Sequence, residues 1–231
     1  MNITLHNMKY AFVGFFLKSL WQRDKPPTEL NTITGVDNMD YVDSFINVRN
    51  IRQDIINSQG YNKKILDIGC GLGFSTSSTR GSLGIDNNLD TLQHAMELFP
   101  RKQFQFADVL FWESDNTYDV VTSMFYLHKN PRDVRQKIIQ LGKTYADERV
   151  VIVDLAPGYI PNDIFSKRYP HLQDYLDTCS EDLSEFTETV IEENKLHVWT
   201  LELNKNKEAT ENEEVCDSNS VMKLLRFYRP M

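Results

Sequence analysis

Short apolar runs alternate with helix-spaced apolar positions through the middle of the chain. The runs occur at residues 65–68, 83–85, 104–106, 119–124 and 150–153. Between them, apolar side chains recur at helical spacing in two stripes, Leu92, Met96 and Phe99, then Val134, Ile138, Leu141 and Tyr145. Strands that alternate with helices predict an α/β fold with a mostly parallel sheet and helices on both faces.

The two ends of the chain differ from this middle part. The consecutive prolines Pro26 and Pro27 interrupt any helix, and an apolar face then recurs at Phe45, Val48, Ile51 and Ile55. We therefore expect an N-terminal helical arm or cap over residues 1–60 and a core over residues 61–231.

The last third predicts a different set of elements. Leu183, Phe186 and Val190 have the spacing of an amphipathic helix, and residues 197–203 and 221–228 have the pattern of strands. The polar stretch over residues 204–219 predicts a long loop between those two strands. Aromatic residues between the fifth strand and this region predict a cap segment at about residues 157–195.

Composition narrows the functional classes. The chain has 231 residues, of which 25 are basic and 33 acidic, so the formal net charge is −8. This balance argues against nucleic acid, because binding to phosphates rests on clustered Lys and Arg. The three cysteines, Cys70, Cys179 and Cys216, are isolated, which fits a reducing compartment and predicts neither a disulfide framework nor a CxxC metal site.

The sequence predicts neither a membrane-spanning segment nor a metal site. The apolar run at residues 10–17 has eight residues, far below the roughly 20 that cross a bilayer. We interpret the run as a packing helix rather than a signal, and we expect a cytoplasmic protein without a membrane partner. No cluster of acids and histidines has metal-ligand spacing, although Asp154 by itself leaves a cation open.

A glycine-rich segment directly follows the first strand. Gly69, Gly71 and Gly73 occupy alternate positions after Asp67. Glycine allows backbone angles that other residues avoid and lets a ligand approach the main chain. The spacing by itself is equally typical of a turn without a ligand.

Acidic residues end the next two strands. Asp86 closes the run at 83–85, and Asp108 follows the run at 104–106. Carboxyl ends of parallel strands meet at one rim of a sheet, where ligands of open α/β folds bind. Asp86 is placed either to accept from ribose hydroxyls or to cap the next helix, and Asp108 is either a ligand contact or a solvated loop residue.

These motifs together resemble the class I S-adenosylmethionine-dependent methyltransferases. The strings are ILDIGCGLGFS, GIDNN, FADVL, YDVVTSMFYLH and RVVIVDLAP, and they cover roughly residues 63–157. The resemblance implies a Rossmann-like class I methyltransferase fold with a seven-stranded sheet whose last strand is antiparallel. One departure is the interval from Gly73 to Asp86, which leaves room for a first helix of little more than two turns.

The resemblance also implies roles for individual residues. The glycines would approach the methionine part of S-adenosylmethionine, with Asp67 below them. Asp86 would bind both ribose hydroxyls, and Asn87 would lie beside the adenine. Asp108 would accept from the adenine amino group. The implied cofactor-binding residues are Asp67, Gly69, Cys70, Gly71, Gly73, Asp86, Asn87, Asp108, Val109 and Phe125.

His128 is the candidate catalytic base. It follows the fourth strand at the rim where the methyl group would point, and a neutral imidazole accepts protons near pH 7. Its alternative role is to pack the turn before Pro131. Aromatic residues after the fifth strand and in the N-terminal arm favour a flat or apolar acceptor.

The sequence therefore predicts a methyltransferase that modifies oxygen or nitrogen of a small molecule. The alternatives are a methyltransferase acting on a protein and a non-catalytic binding subunit with the same fold. A nucleotide-dependent oxidoreductase is disfavoured because its glycine motif usually has the third glycine one residue later.

Overall fold

A seven-stranded sheet forms the centre of the computed structural model, which describes residues 51–60 and 62–203. The strands are β1 (Ile65–Ile68), β2 (Leu83–Asp86), β3 (Phe104–Phe106), β4 (Tyr118–Met124), β5 (Ala146–Leu155), β6 (Thr187–Glu192) and β7 (Leu196–Glu202). Their order is β3-β2-β1-β4-β5-β7-β6. All pairings from β3 to β5 are parallel, and β7 is antiparallel to both of its neighbours.

Five helices accompany the sheet. They are α1 (Ile51–Ser58), α2 (Leu89–Leu98), α3 (Arg132–Tyr145), α4 (Asp163–Arg168) and α5 (Leu172–Asp182), with a 3-10 turn at Leu127–Lys129. No helix in residues 51–60 or 62–203 is both long and apolar enough to span a bilayer.

The two faces of the sheet bury separate apolar clusters. Alternate residues of β5 divide between them, since Ile152 packs with α3 and α5 while Val151 packs with Ile51 of α1. Helices therefore cover both faces, as the alternation of strands and helices predicted. The strand pairs place the carboxyl ends of β1, β2 and β3 at one rim, because Ile68 lies opposite Ile85 and Asp86 opposite Phe106.

The helix predicted from Leu183, Phe186 and Val190 is wrong. Helix α5 ends at Asp182, and Thr187–Glu192 is the edge strand β6. Leu183 and Phe186 are buried, whereas Val190 is 56% exposed, so the apparent stripe does not share one face. A short turn with Asn194 in the left-handed region joins β6 to β7.

All seven strands of the sheet lie within residues 65–202, so the sheet does not need the strand predicted over residues 221–228. That predicted strand, the loop over 204–219 and most of the N-terminal arm lie outside the described residues. The domain boundaries stay a prediction.

The segment between β1 and β2 contains no helix. Residues 69–82 run through turns and bends instead, so the short first helix for which the sequence left room is absent. This part is nevertheless enclosed, since Ser75, Thr76 and Ser82 are all buried. Its polar side chains, rather than an apolar helix face, hold it against the sheet.

A buried arginine joins α3 to α5. The Arg135 side chain is fully buried, and its guanidinium contacts Asp174 (2.9 Å), Thr178 (2.7 Å) and Asp182 (3.4 Å). A buried cation needs such partners to offset its lost hydration. The network fixes α5 on the same end of the sheet as the carboxyl ends of β4 and β5.

Candidate functional site

The glycine loop is anchored to the neighbouring strand β2. The backbone N–H groups of Gly69 and Cys70 both donate to the carbonyl of Ile85, at 2.9 and 3.0 Å. Gly73 N–H then donates to Cys70 O (2.9 Å), which closes a tight turn. The loop therefore has a defined shape at the rim formed by β1 and β2.

Asp67 lies beneath this loop and is completely buried. Its carboxylate accepts from the hydroxyls of Ser75 (2.8 Å), Thr76 (2.7 Å) and Thr122 (3.2 Å). Burial raises its pKa, although these hydroxyls and the positive charge of Arg52 oppose the rise. Asp67 thus binds residues 75 and 76 to the end of β1, and its role beneath a bound cofactor stays a prediction.

The three glycines of the loop have different surroundings. All adopt positive φ angles, of 74°, 51° and 79° at Gly69, Gly71 and Gly73. A Cβ at Gly69 would lie 2.2 Å from the Tyr126 ring, and one at Gly73 would lie 2.5 Å from the Phe104 ring. Gly71 has nothing within 4 Å of that position. The open approach to the main chain is therefore at Gly71.

Asp86 faces the open glycine. Its Oδ2 accepts from Gly71 N–H and its Oδ1 from Asn88 N–H, both at 2.9 Å. The side chain is held at the rim by two backbone donors, and each oxygen keeps a further lone pair. A carboxylate fixed in this way can accept from a pair of ligand hydroxyls.

The remaining rim residues lie around Asp86. Asp108 is exposed and its Oδ1 accepts from Leu110 N–H (2.9 Å), while Val109 is buried in the core cluster. Asn87 is exposed next to Asp86. Ala107 N–H donates to Asp86 O (2.9 Å), so the chain that carries Asp108 continues alongside the end of β2.

Tyr126 was not identified from the sequence, yet its ring packs directly on Gly69. Burial raises the pKa of its hydroxyl, and the negative charges of Asp86 and Asp108 raise it further. The phenol is thus neutral and close to both rim carboxylates. No sequence signal distinguishes it from the other aromatics that follow β4.

Phe125 lies away from the glycine loop. Its φ is 57°, unusual for a residue other than glycine, and the backbone turns there at the end of β4. Its ring is buried in the cluster with α1, and the Arg52 guanidinium lies 4.3 Å from the ring centroid. Tyr126 rather than Phe125 contacts the glycine loop, and a cofactor role for Phe125 stays a prediction.

The thiol of Cys70 is buried within the loop. Burial raises its pKa well above the usual range, and the charges of Asp67 and Asp86 add to the effect. The thiol therefore stays protonated, and its sulfur packs against Gly84. Its place in the loop is defined by packing.

A lysine also reaches the loop from the turn before β3. Lys102 Nζ donates to Gly73 O (2.7 Å) and lies 4.0 Å from the Phe99 ring centroid. Burial lowers the pKa of Lys102 to about 8, although the negative charge of Asp67 opposes this shift. Sequence reasoning offered no indication of this contact.

His128 forms a buried pair with Asp154. Nδ1 of His128 lies 2.6 Å from Asp154 Oδ1, and both side chains are 0% exposed. Asp154 Oδ2 also accepts from Leu127 N–H (2.9 Å), and Oδ1 from Leu155 N–H (2.8 Å). Burial would raise the pKa of Asp154, but the His128 interaction and these donors hold it below its usual value. Nδ1 of His128 faces this carboxylate, so Nδ1 carries the hydrogen of that contact and Nε2 is the ring nitrogen directed away from it.

Aromatic rings from α4 and α5 surround His128. The ring centroids of Phe165, Tyr169 and Tyr175 lie 6.1, 5.1 and 6.3 Å from that of His128. Tyr175 donates to Leu155 O (2.8 Å), which fixes this wall to the end of β5. The arrangement places a proton acceptor inside an apolar, ring-lined enclosure.

Within residues 51–60 and 62–203, no group of three or more His, Cys, Asp or Glu side chains could hold a metal ion.

Comparisons with known proteins agree with this geometry. No protein-family model matches the chain. A segment of 72 residues is 36% identical to "Putative methyltransferase 235L" of Invertebrate iridescent virus 6, and the match covers 29% of this chain and 27% of that protein. The chain thus spans about a quarter of the length of this relative.

The chain is also similar to solved structures. The magnesium protoporphyrin IX methyltransferase of Synechocystis PCC 6803, with bound S-adenosylhomocysteine, superposes with a TM-score of 0.50 at 15% identity, covering 82% of this chain and 94% of that one. A TehB-like S-adenosylmethionine-dependent methyltransferase from Corynebacterium glutamicum gives a TM-score of 0.48 at 18% identity, covering 70% and 95%.

The first superposition and the strand order agree with the motifs at the sheet rim. The sequence resemblance is confirmed at the level of architecture, and the chain has the Rossmann-like fold of the class I S-adenosylmethionine-dependent methyltransferases.

Proposed function

We propose that this protein is an S-adenosylmethionine-dependent methyltransferase that modifies oxygen or nitrogen of a small molecule. The observation that carries the proposal is the contact between Gly71 and Asp86. It sets an open stretch of main chain beside a fixed carboxylate at the carboxyl ends of β1 and β2. A structure with the same fold holds S-adenosylhomocysteine.

The residues at the rim fit the parts of the cofactor. Asp86 would accept from the two ribose hydroxyls through its free lone pairs, with Asn87 and Asp108 on the adenine side. The main chain at Gly71 would meet the methionine part, and Asp67 would hold the loop from below. The buried side chains of Cys70 and Val109 would pack behind the residues that contact the cofactor.

Charge at the rim supports the same ligand. S-adenosylmethionine carries a sulfonium, an ammonium and a carboxylate group, so its net charge is +1, and it supplies an activated methyl group when bound. Asp86, Asp108 and Asp67 provide negative charge around the loop, which favours a cationic ligand. The Tyr126 ring, neutral and packed on Gly69, offers an aromatic face to a cation at this position.

His128 would serve as the base for an acceptor that carries a proton. Asp154 orients the imidazole through Nδ1 and leaves Nε2 able to accept. The ring-lined surroundings of His128 favour a small, flat acceptor over a protein side chain. The protein would work in the cytoplasm, since the described cysteines Cys70 and Cys179 are both free thiols.

Calorimetry with S-adenosylhomocysteine tests the cofactor assignment. We expect saturable binding at one site, whereas NADH, which needs a phosphate site, should not bind. A chain that binds neither S-adenosylmethionine nor S-adenosylhomocysteine would contradict the proposal.

Methyl-labelled S-adenosylmethionine tests the acceptor class. Incubation of the protein with fractionated cell extract should transfer label to the small-molecule fraction. Label found only in protein would contradict the small-molecule assignment while leaving the cofactor assignment intact.

A further inference from the structure

Two buried polar atoms near the end of β4 have no hydrogen-bond partner among the described residues. They are His128 Nε2 and Tyr169 Oη. The His128 side chain is 0% exposed and Tyr169 is 8% exposed. A buried polar atom without a partner costs free energy, on the order of 1–3 kcal/mol. An ordered water or a ligand group that bonds to these atoms would remove this cost.

The two atoms belong to neighbouring rings that contact each other. The Tyr169 ring meets the His128 ring edge-on, with centroids 5.1 Å apart and an interplanar angle of 84°. Phe165 packs against both, at 6.1 Å from His128 and 4.7 Å from Tyr169. Other polar atoms of this cluster are satisfied, since Asp154 binds His128 Nδ1 and Tyr175 Oη binds Leu155 O.

We propose that His128 Nε2 and Tyr169 Oη together bind the hydroxyl group of a flat, phenol-like methyl acceptor. This inference rests on the proposed function and narrows it from oxygen or nitrogen to a hydroxyl oxygen. It also assigns to Tyr169 a role in acceptor binding. The rings of Phe165 and His128 would pack against the planar body of the acceptor.

The hydrogen-bonding capacities select a hydroxyl. Nε2 offers a lone pair, and the Tyr169 phenol donates one hydrogen bond. A hydroxyl group donates to the first and accepts from the second, so both atoms are satisfied. A carboxylate has no proton to give to Nε2.

Charge development distinguishes a hydroxyl from an amine. The acceptor oxygen becomes more negative as its proton leaves, and a donor such as Tyr169 stabilises that charge. An amine nitrogen becomes more positive during methylation, and the same donor would oppose it. The pair therefore favours transfer to oxygen.

The proposed step balances in protons and electrons. The acceptor O–H bond breaks and its proton moves to His128 Nε2, while Asp154 stabilises the imidazolium formed. The oxygen electron pair forms the new O–CH₃ bond as the carbon–sulfur bond breaks and leaves its electron pair on sulfur. His128 then releases the proton to solvent.

A pair of simple ligands tests the site in the presence of saturating S-adenosylhomocysteine. Phenol and anisole share one ring and differ in the hydroxyl proton, and aniline is the amine comparator. We expect NMR titration to give phenol about tenfold tighter binding than anisole, with aniline between them. Equal affinity for phenol and anisole, or no phenol binding, would overturn the proposal.

Tyr169→Phe removes the orphan hydroxyl and keeps the ring. It should lower phenol affinity several-fold, to nearly that of anisole, and raise the melting temperature by about 2–4 °C because an unsatisfied buried group is lost. Tyr159→Phe removes a phenolic oxygen from the same connection and should leave phenol affinity unchanged. An unchanged phenol affinity in Tyr169→Phe would overturn the role of Tyr169.

The tautomer of His128 gives an independent readout. Long-range ¹H–¹⁵N spectra should show a proton on Nδ1 and none on Nε2, and phenol should shift the Nε2 signal in wild type far more than in Tyr169→Phe. A protonated Nε2 in the neutral ring would contradict the proposal. S-adenosylhomocysteine binding should also be measured in these variants. If they bind it as wild type does, a negative result with phenol contradicts the acceptor site and leaves the cofactor assignment intact.

Discussion

The backbone N–H of Gly71 donates to the carboxylate of Asp86 across 2.9 Å. This bond connects the loop after β1 with the end of β2. The same carboxylate accepts from Asn88 N–H at the start of α2. One side chain thereby sets the distance between the open main chain and the proposed ribose site.

Replacing Asp86 should remove the ribose contacts. We expect Asp86→Ala to weaken S-adenosylhomocysteine binding by about 100-fold, because two hydrogen bonds to a charged group are lost. Calorimetry measures the affinity, and Asp90→Ala, an exposed acid in the first turn of α2, is the control. An affinity within twofold of wild type in Asp86→Ala would remove Asp86 from the site.

Alanine at two glycines should have different consequences. Gly69→Ala meets the Tyr126 ring and should destabilise the fold strongly, whereas Gly71→Ala costs only the strain of its left-handed backbone, about 1 kcal/mol. Gly71→Ala should nevertheless lose most of its cofactor affinity, because its Cβ occupies the approach to the main chain. Thermal melts and calorimetry on both variants separate the effects. Full cofactor affinity in Gly71→Ala would place the ligand elsewhere.

Lys102 should make the free energy of unfolding depend on pH in the alkaline range. Its pKa in the folded chain is about 8, below its ordinary value of 10.5, so the unfolded chain binds more protons between these pH values. The free energy of unfolding of wild type should therefore rise with pH across this window, relative to Lys102→Met, by at most about 1.4 kcal/mol per pH unit. Urea titrations from pH 7 to 10.5 measure the difference. A constant or falling difference would contradict the shifted pKa.

Asp154 should stabilise the fold through its charge. Asp154→Asn replaces an oxygen that accepts backbone N–H bonds and removes the charge that faces Nδ1 of His128, so we expect a loss of about 1.5–3 kcal/mol at neutral pH, the range for hydrogen bonds to a charged group. Asp133→Asn changes an exposed acid at the start of α3 and is the matched control.

The loss of stability in Asp154→Asn should depend on pH, because the pKa of Asp154 is lowered in the folded chain. The pKa of Asp154 is lower in the folded chain than in the unfolded chain, so its contribution is complete above about pH 4 and disappears as pH falls through the folded value. The difference between wild type and Asp154→Asn should shrink below about pH 4. A difference that grows on acidification would contradict the assignment.

Much of the sheet was predictable because its strands are continuous apolar runs. Strands β1, β4 and β5 are buried on both faces, and such strands carry apolar residues at successive positions. The rim acids Asp86 and Asp108 were predictable for the same reason, since the end of each run fixed their place.

Strand β6 was missed because helical spacing of apolar residues is not unique to helices. Leu183 and Phe186 are buried by the turn after α5, while Val190 is exposed on an edge strand. Pairing with β7, which apolar spacing does not reveal, decides the conformation there.

The different directions of Phe125 and Tyr126 have a local backbone reason. The left-handed φ at Phe125 breaks the strand alternation, so the expected direction of the next side chain no longer holds. Nothing in the sequence announces a positive φ at phenylalanine. The His128–Asp154 pair was likewise hidden, because its members lie 26 positions apart and meet only when β4 and β5 are paired.

The absence of a helix after the glycine loop has a consequence for ligand selection. A helix beginning there would direct its positive dipole end toward the rim, which is how many nucleotide sites attract pyrophosphate. Here the loop leads into hydroxyl-bearing turns fastened to Asp67, with two further acids at the rim. The site should therefore repel ATP and dinucleotides while it accepts adenosine joined to a chain whose net charge is zero or positive.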